Sequence, residues 1–150
     1  MAITVLLLVI AIPNFRYFGQ RQRLINEGEK LASVIIEAKT MALAPPAGNA
    51  GNKEYRAVID AANKKIVVTT AGGAPVAGKS YTIPEDINIQ IFGGGKESQI
   101  IFAIENQAAV SFDPIATSDL AIELSHRNFP DKKIIVTVNQ ISGQVNLTKN

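Results

Sequence analysis

The sequence predicts an α+β fold in which one long N-terminal helix packs on antiparallel β-sheet made of about eight short strands. Three observations predict it. Residues 3–12 are an uncharged, almost wholly apolar run that leads straight into a stretch of helical periodicity. Two consecutive prolines, Pro45 and Pro46, close that stretch. Beyond residue 52 the pattern changes to short runs rich in Ile, Val, Phe, Tyr and Thr, separated by Gly, Asn, Asp and Pro.

The apolar run supplies Ile3, Val5, Leu6, Leu7, Leu8, Val9, Ile10 and Ile12, followed by Pro13 and Phe15 and then by Arg16, Arg21 and Arg23. Ile3 to Ile12 makes about 15 Å of helix, and the hydrocarbon core of a bilayer is about 30 Å thick. The run is therefore half of a membrane helix or a stem that packs against other copies of itself. A buried core helix is the competing reading, but the residues that follow already supply a core face. A secretory signal is a poor description, since there is neither a basic segment before the run nor a small-residue cleavage site after it. Pro13 marks a division between this stem, residues 1–19, and a globular unit, residues 20–150.

In the globular unit the helix covers residues 20–44, as the second part of a rod that reads as one helix from Asn14 to about Leu43. Leu24, Gly28, Leu31, Ile35, Ala38 and Ala42 recur at spacings of four and three, which places them on one face. Arg23, Glu27, Lys30 and Glu37 fall largely on the other. Gly28 costs about 1 kcal/mol of helix propensity relative to Ala, so close packing of another backbone is expected there. Residues 47–51 read as a small, polar surface loop.

Residues 52–150 are β-rich. Glu54–Ile59 and Lys65–Thr70 flank Asp60-Ala-Ala-Asn63 as a hairpin. Residues 71–78 form a Gly/Ala/Pro loop before strands at Tyr81–Ile83 and Ile87–Phe92, the latter with Ile87, Ile89 and Ile91 on one face. Gly93-Gly-Gly95 ends it. Gln99–Ala103 and Ala108–Phe112 make a second hairpin around Glu105–Gln107. Leu120–Leu124 alternates again, and Lys133–Val138 pairs with Gln144–Leu147 around Ile141-Ser-Gly143, a pair suited to a tight turn. A helix stripe and a one-sided sheet must each be covered. Laying the second half of the helix across the sheet does both and leaves the stem projecting as a handle.

Composition narrows the functional classes. The chain has 150 residues, 47% hydrophobic and 19% charged, with a net charge of +2 and no cysteine. That length holds one domain with a real core. The charge is too small to imply nucleic acid or an anionic surface by itself. Without cysteine there are no disulfides, thiolate nucleophiles or zinc–thiolate sites. The single histidine, His126, follows Ser125, but adjacent strand residues point to opposite faces, so the two do not make a catalytic pair. A solvated loop or strand-end histidine is the simpler reading. Gly93-Gly-Gly-Lys96 lacks the spacing of a phosphate loop and lies between strands. Asp60, Glu85, Asp86, Asp113 and Asp119 are scattered and lack the alternating acids of a calcium loop; those beside prolines read as turn formers. Asn146-Leu-Thr148 matches a glycosylation sequon, a frequent chance match. No catalytic, cofactor-binding or metal-binding constellation emerges, and no small-molecule substrate is implied.

Ala11-Ile-Pro-Asn-Phe15, placed after an aliphatic run and before a long polar helix, resembles the stem of type IV pilins and type II secretion pseudopilins. Leu31-Ala-Ser-Val-Ile35 with Ala38-Lys39, Ile100-Ile-Phe102 with Ser111-Phe112, and the final strand–Gly143–strand hairpin are most similar to the GspH/FimT-type minor pseudopilins and minor pilins. In that family a basic leader is removed before a Phe or Met and a Glu follows; neither is present. Aligning Pro13 places Met1 inside the family's membrane helix, so the resemblance implies a chain lacking its leader and the start of its stem, through a misplaced start codon or a truncation. It further implies a structural subunit that joins other pilins or pseudopilins through its N-terminal helix. Such a subunit sits in the inner membrane before assembly, with its globular domain in the periplasm or outside the cell. The alternative is a FimT-type minor pilin that captures DNA during uptake, for which Arg127, Lys132, Lys133 and Lys149 are the candidate patch.

Overall fold

Forty-two residues, Ala2–Leu43, form one continuous helix, α1. The computed structural model describes residues 2–46, 54–93, 97–103, 109–115 and 118–149, and the helix side chains from Tyr17 onward. The backbone remains helical through Pro13, so stem and rod are a single element of about 63 Å. The helix ends where expected. The last turn is closed by the Ala44 amide donating to Thr40 O at 2.8 Å, and Pro45 prevents a further turn.

Nine strands follow: β1 (Glu54–Asp60), β2 (Lys65–Thr70), β3 (Pro75–Thr82), β4 (Ile87–Phe92), β5 (Glu97–Ala103), β6 (Ala109–Asp113), β7 (Leu120–His126), β8 (Phe129–Val138) and β9 (Val145–Lys149). They make two antiparallel sheets, ordered β3-β2-β1-β5-β6 and β4-β7-β8-β9. All three expected hairpins are present, with Val58 opposite Val67, Ile100 opposite Phe112 and Val136 opposite Leu147. Alternation decides which face is buried. In β1 it buries Tyr55, Ala57 and Ile59, and in β7 it buries Leu120, Ile122, Leu124 and His126.

Two strands differ from expectation: β8 begins at Phe129 rather than Lys133, and β3 begins well before Tyr81. Residues 75–78 are not loop: β3 starts at Pro75 and pairs with β2, with a register shift between Val67 and Thr69. As an edge strand with an exposed outer face, β3 carries no hydrophobic alternation, and an edge tolerates a proline that cannot donate to the ladder. Ile83 falls just after this strand, is buried, and donates its amide to Lys64 O at 2.7 Å. The β1–β2 turn is held by Asp60, which accepts the Asn63 amide at 2.9 Å. Those hydrogen bonds, above all from the Asn63 backbone, hold the Asp60 carboxyl below the usual carboxylate range. The expected loop at 47–51, the turn at 105–107 and residues 94–96 lie outside the described residues.

The expected stripe on α1 is the buried one: Leu24, Leu31, Ile35, Ala38 and Ala42 join one hydrophobic cluster with residues of both sheets. The rod contacts β1, β2 and β5 of one sheet and β7, β8 and β9 of the other, so it covers the line where the two sheets come together. Gly28 is the point of closest approach, to side chains rather than to another backbone. A Cβ there would stand 2.5 Å from Ile134 Cγ2 and 3.4 Å from Leu147 Cδ1. At the far end Lys39 donates to Ser142 O at 2.9 Å and Gly143 O at 3.2 Å, tying the β8–β9 turn to the helix. Gly143, at φ 61°, fits against Val110 and Phe102 of the other sheet. One expectation for the outer face fails: Glu27 is only 4% exposed. It flanks the buried stripe, and its Oε1 accepts from Lys30 Nζ at 3.0 Å.

Gly28→Ala tests the close approach. The gain in helix propensity, about 1 kcal/mol, is opposed by overpacking of about 1–3 kcal/mol against a β-branched side chain that cannot swing away. The expected outcome is a thermal midpoint lowered by a few degrees, and a coupling to Ile134→Ala in which the double variant loses less than the sum of the two single losses, read from thermal unfolding. A higher midpoint for the single variant would mean that the helix stands further from β8.

Candidate functional site

The most connected polar cluster lies where the rod leaves the domain. Asp86, in the β3–β4 loop, reaches two elements at once: its Oδ2 is 2.9 Å from Arg23 Nη1 on α1 and 3.3 Å from His126 Nε2 at the end of β7. The imidazole is 3% exposed, so the solvated histidine expected from sequence is not found, although the strand-end position is. The Asn128 amide donates to His126 Nδ1 at 3.1 Å, which places the ring proton of the neutral form on Nε2, facing Asp86. Both ring nitrogens are thus engaged in holding the β7–β8 turn and the β3–β4 loop together.

Further bonds extend the cluster. The Arg127 amide donates to Asp86 O at 2.8 Å. Arg127 Nη2 and Lys64 Nζ converge on Glu85 O, at 3.3 and 2.7 Å. Tyr17 of the helix meets Phe129 of β8 edge to face, with ring centroids 4.8 Å apart. Beside them a cleft of about 10 Å³, lined by Arg21, Leu24, His126 and Lys132 among others, has room for one water-sized body. Its size suits a joint between helix and sheet rather than a ligand pocket.

The chemistry available here is structural. Ser125 and His126 lie on opposite faces of β7, since His126 is buried and Ser125 is not. Asp119 instead accepts from Asn139 Nδ2 at 3.2 Å and from the Gln140 amide at 3.0 Å, bracing the β8–β9 turn. Among the described residues no group of three or more His, Asp or Glu is placed to hold a metal ion.

The four basic residues expected as one patch are only partly together. Arg127 and Lys132 lie near the root of the helix. Lys133 Nζ is 3.0 Å from Glu123 Oε1, and Lys149 Nζ is 3.6 Å from Glu29 Oε1, so two of the four face carboxylates. The side chains of residues 3–15, the expected assembly stem, lie outside the described ones. Among the described residues no helix is long and apolar enough to cross a membrane.

A second surface went unnoticed in the sequence. Phe18, Ile36 and Leu43 are 67%, 48% and 58% exposed. With half-buried Ile25 and Ala32 they form a narrow stripe along α1, about 100° around from the buried one. An open groove beside it runs between Ile36 and the β9 residues Val145 and Leu147. The spacing was readable in principle, but these residues lie between polar ones and were overshadowed by the stronger core stripe.

Solved structures share this fold. A crystal structure of the type IV minor pilin FimU from Pseudomonas aeruginosa is 13% identical, covers 87% of this chain and 92% of its own, and has a TM-score of 0.61. A second crystal form of that protein is 10% identical over 82% of this chain and 90% of its own, with a TM-score of 0.57. No protein-family profile matches the sequence, and no curated protein matches it. The chain thus has a type IV pilin-like fold, with one long N-terminal helix laid on antiparallel sheets.

Asp86 is expected to matter more than its exposed partner. Arg23→Ala removes a half-exposed ion pair and is expected to cost under about 1 kcal/mol. Asp86→Ala also leaves the buried His126 Nε2–H without its acceptor and is expected to cost about 1–3 kcal/mol. Denaturant unfolding of the two variants gives the comparison, and equal losses would remove His126 from the joint.

Proposed function

We propose that the chain is a structural, non-enzymatic subunit of a type IV pilin-like filament, assembling through its N-terminal helix. The observation that carries this is the apolar stripe of exposed Phe18, Ile36 and Leu43 with half-buried Ile25 and Ala32 between them, which extends down a single rod from the apolar sequence of residues 3–15. An isolated domain gains nothing from such a stripe, whereas parallel copies of the rod bury it against each other at roughly 25 cal/mol per Å². The pilin-like fold supports the reading, and so does the content of the root cluster, which braces rather than reacts. In this account the stem holds the subunit in the inner membrane until assembly, and the sheets face outward from the filament, in the periplasm or beyond the cell.

A division of labour follows. Residues from Gln20 onward carry the whole described core, Leu24 to Val138, so a chain starting at Gln20 is expected to keep the cooperative thermal transition, lowered by at most a few degrees for the lost Tyr17–Phe129 contact, and to gain solubility. If that deletion unfolds the domain, the stem belongs to the core and the filament reading loses its physical basis. Within the shortened chain Ile36→Glu is expected to leave the midpoint within a few degrees, because the side chain is exposed. In the full chain the same substitution is expected to suppress self-association in analytical ultracentrifugation. Undiminished self-association would take the stripe out of the assembly surface.

A further inference from the structure

Cations gather around the root of the helix although they come from distant segments: Arg21 and Arg23 on α1, Lys64 in the β1–β2 turn, Arg127 in the β7–β8 turn and Lys132 on β8. Asp86 compensates Arg23. Among the described residues Arg21 and Lys132 have no carboxylate partner, while Lys64 and Arg127 donate to a neutral carbonyl, Glu85 O. The exposed acids Glu85 and Asp131 stand at the same end and reduce its positive charge without reversing it. Aromatic rings sit among the cations: Tyr17 against Phe129, and Phe18 exposed.

We propose that this collar of Arg21, Lys64, Arg127 and Lys132, with Tyr17, Phe18 and Phe129, docks the domain on an anionic phospholipid surface. The inference rests on the stem reading for its orientation. Three physical arguments favour a bilayer over other polyanions. The apolar run Ile3–Ile12 is about 15 Å long, the depth of one leaflet. Arg21 lies about 14 Å further along the rod, which holds the collar roughly 7 Å outside the headgroup layer, within about one Debye length of an anionic surface at physiological salt. One Tyr and two Phe rings interleaved with Arg and Lys are a composition that suits a membrane–water interface. A nucleic-acid groove would call for a continuous basic track, yet the next basic residues along β8 and β9, Lys133 and Lys149, are paired with Glu123 and Glu29.

The test is flotation of the full chain with vesicles of phosphatidylcholine alone or mixed in equal parts with phosphatidylglycerol, at low and high salt. Binding to phosphatidylcholine reads the stem; the preference for the mixture reads the collar. The full chain is expected to prefer the mixture at low salt and to lose the preference as salt screens the charges. The Arg21→Ala/Lys64→Ala/Arg127→Ala/Lys132→Ala variant, checked for an unchanged thermal midpoint, is expected to lose that preference, by up to several hundredfold at about fivefold for each of the four cations. Its phosphatidylcholine binding is expected to remain. A parent chain that ignores phosphatidylcholine yet prefers the mixture removes the stem reading and upholds the collar. Absence of preference in the parent overturns the collar, as does full preference in the variant. A gel shift with duplex DNA that the variant abolishes, without any vesicle preference, overturns it in favour of nucleic acid.

Discussion

The structure depends on one stripe of one helix being buried against two sheets at once. Neither sheet is closed, and each has an apolar face that water would otherwise cover. Leu24, Leu31, Ile35, Ala38 and Ala42 complete both faces. Gly28 then becomes a requirement rather than a weakness: without a Cβ the rod can sink against Ile134 and Leu147. The lost helix propensity is offset by dense packing along the remainder of the stripe, where each fully buried aliphatic side chain contributes about 1.5–3 kcal/mol. The same need draws Glu27 into a nearly buried position, where Lys30 pairs with one oxygen and Lys30 Nζ in turn lies 5.2 Å from the centre of the Tyr81 ring.

Around that stripe polar contacts tie the rod to the sheets at both ends, and Glu29–Lys149 and Glu37–Lys79 add ties between them. Asp86 joins the rod to the end of β7 through Arg23 and His126, and Lys39 joins it to the β8–β9 turn. In each case a side chain of the helix or of a loop satisfies groups that the sheet ladders leave unpaired, such as the turn carbonyls of Ser142 and Gly143. The pilin-like fold is thereby held by a buried apolar stripe and by polar ties to both sheets along its flanks.

Much of this was legible in the sequence. The rod, its prolines, the core stripe and the three hairpins were readable because hydrophobic periodicity and turn residues are local signals. Two sheets rather than one could not be read, since alternation states that a strand has a buried face but not which strands share a ladder. β3 was partly lost because an exposed edge has no face to alternate. The root cluster was the least visible. Arg23, Asp86 and His126 are drawn from three separate segments, and Asp86 beside Pro84 looked like an ordinary turn former. His126 reads as solvated for a similar reason: the alternating apolar pattern stops at Leu124, whereas β7 runs on to His126, and its acceptor lies in another loop. The basic patch was grouped by closeness in sequence, whereas the fold pairs Lys133 and Lys149 with acids and sets Arg127 beside Lys64 through the carbonyl of Glu85.

The arrangement of the two polar ends has a mechanical consequence. In the proposed filament, tension would run through the subunits along the axis of their rods. In this chain the domain hangs on the rod by a row of contacts parallel to that axis, from Arg23 at one end to Lys39 at the other. Axial force therefore loads the whole row in shear, and many side chains must slide together before any one comes free. A domain attached at one end alone would be unzipped contact by contact at far lower force. Gly28, where Ile134 projects toward the rod backbone, acts as a notch that resists such sliding.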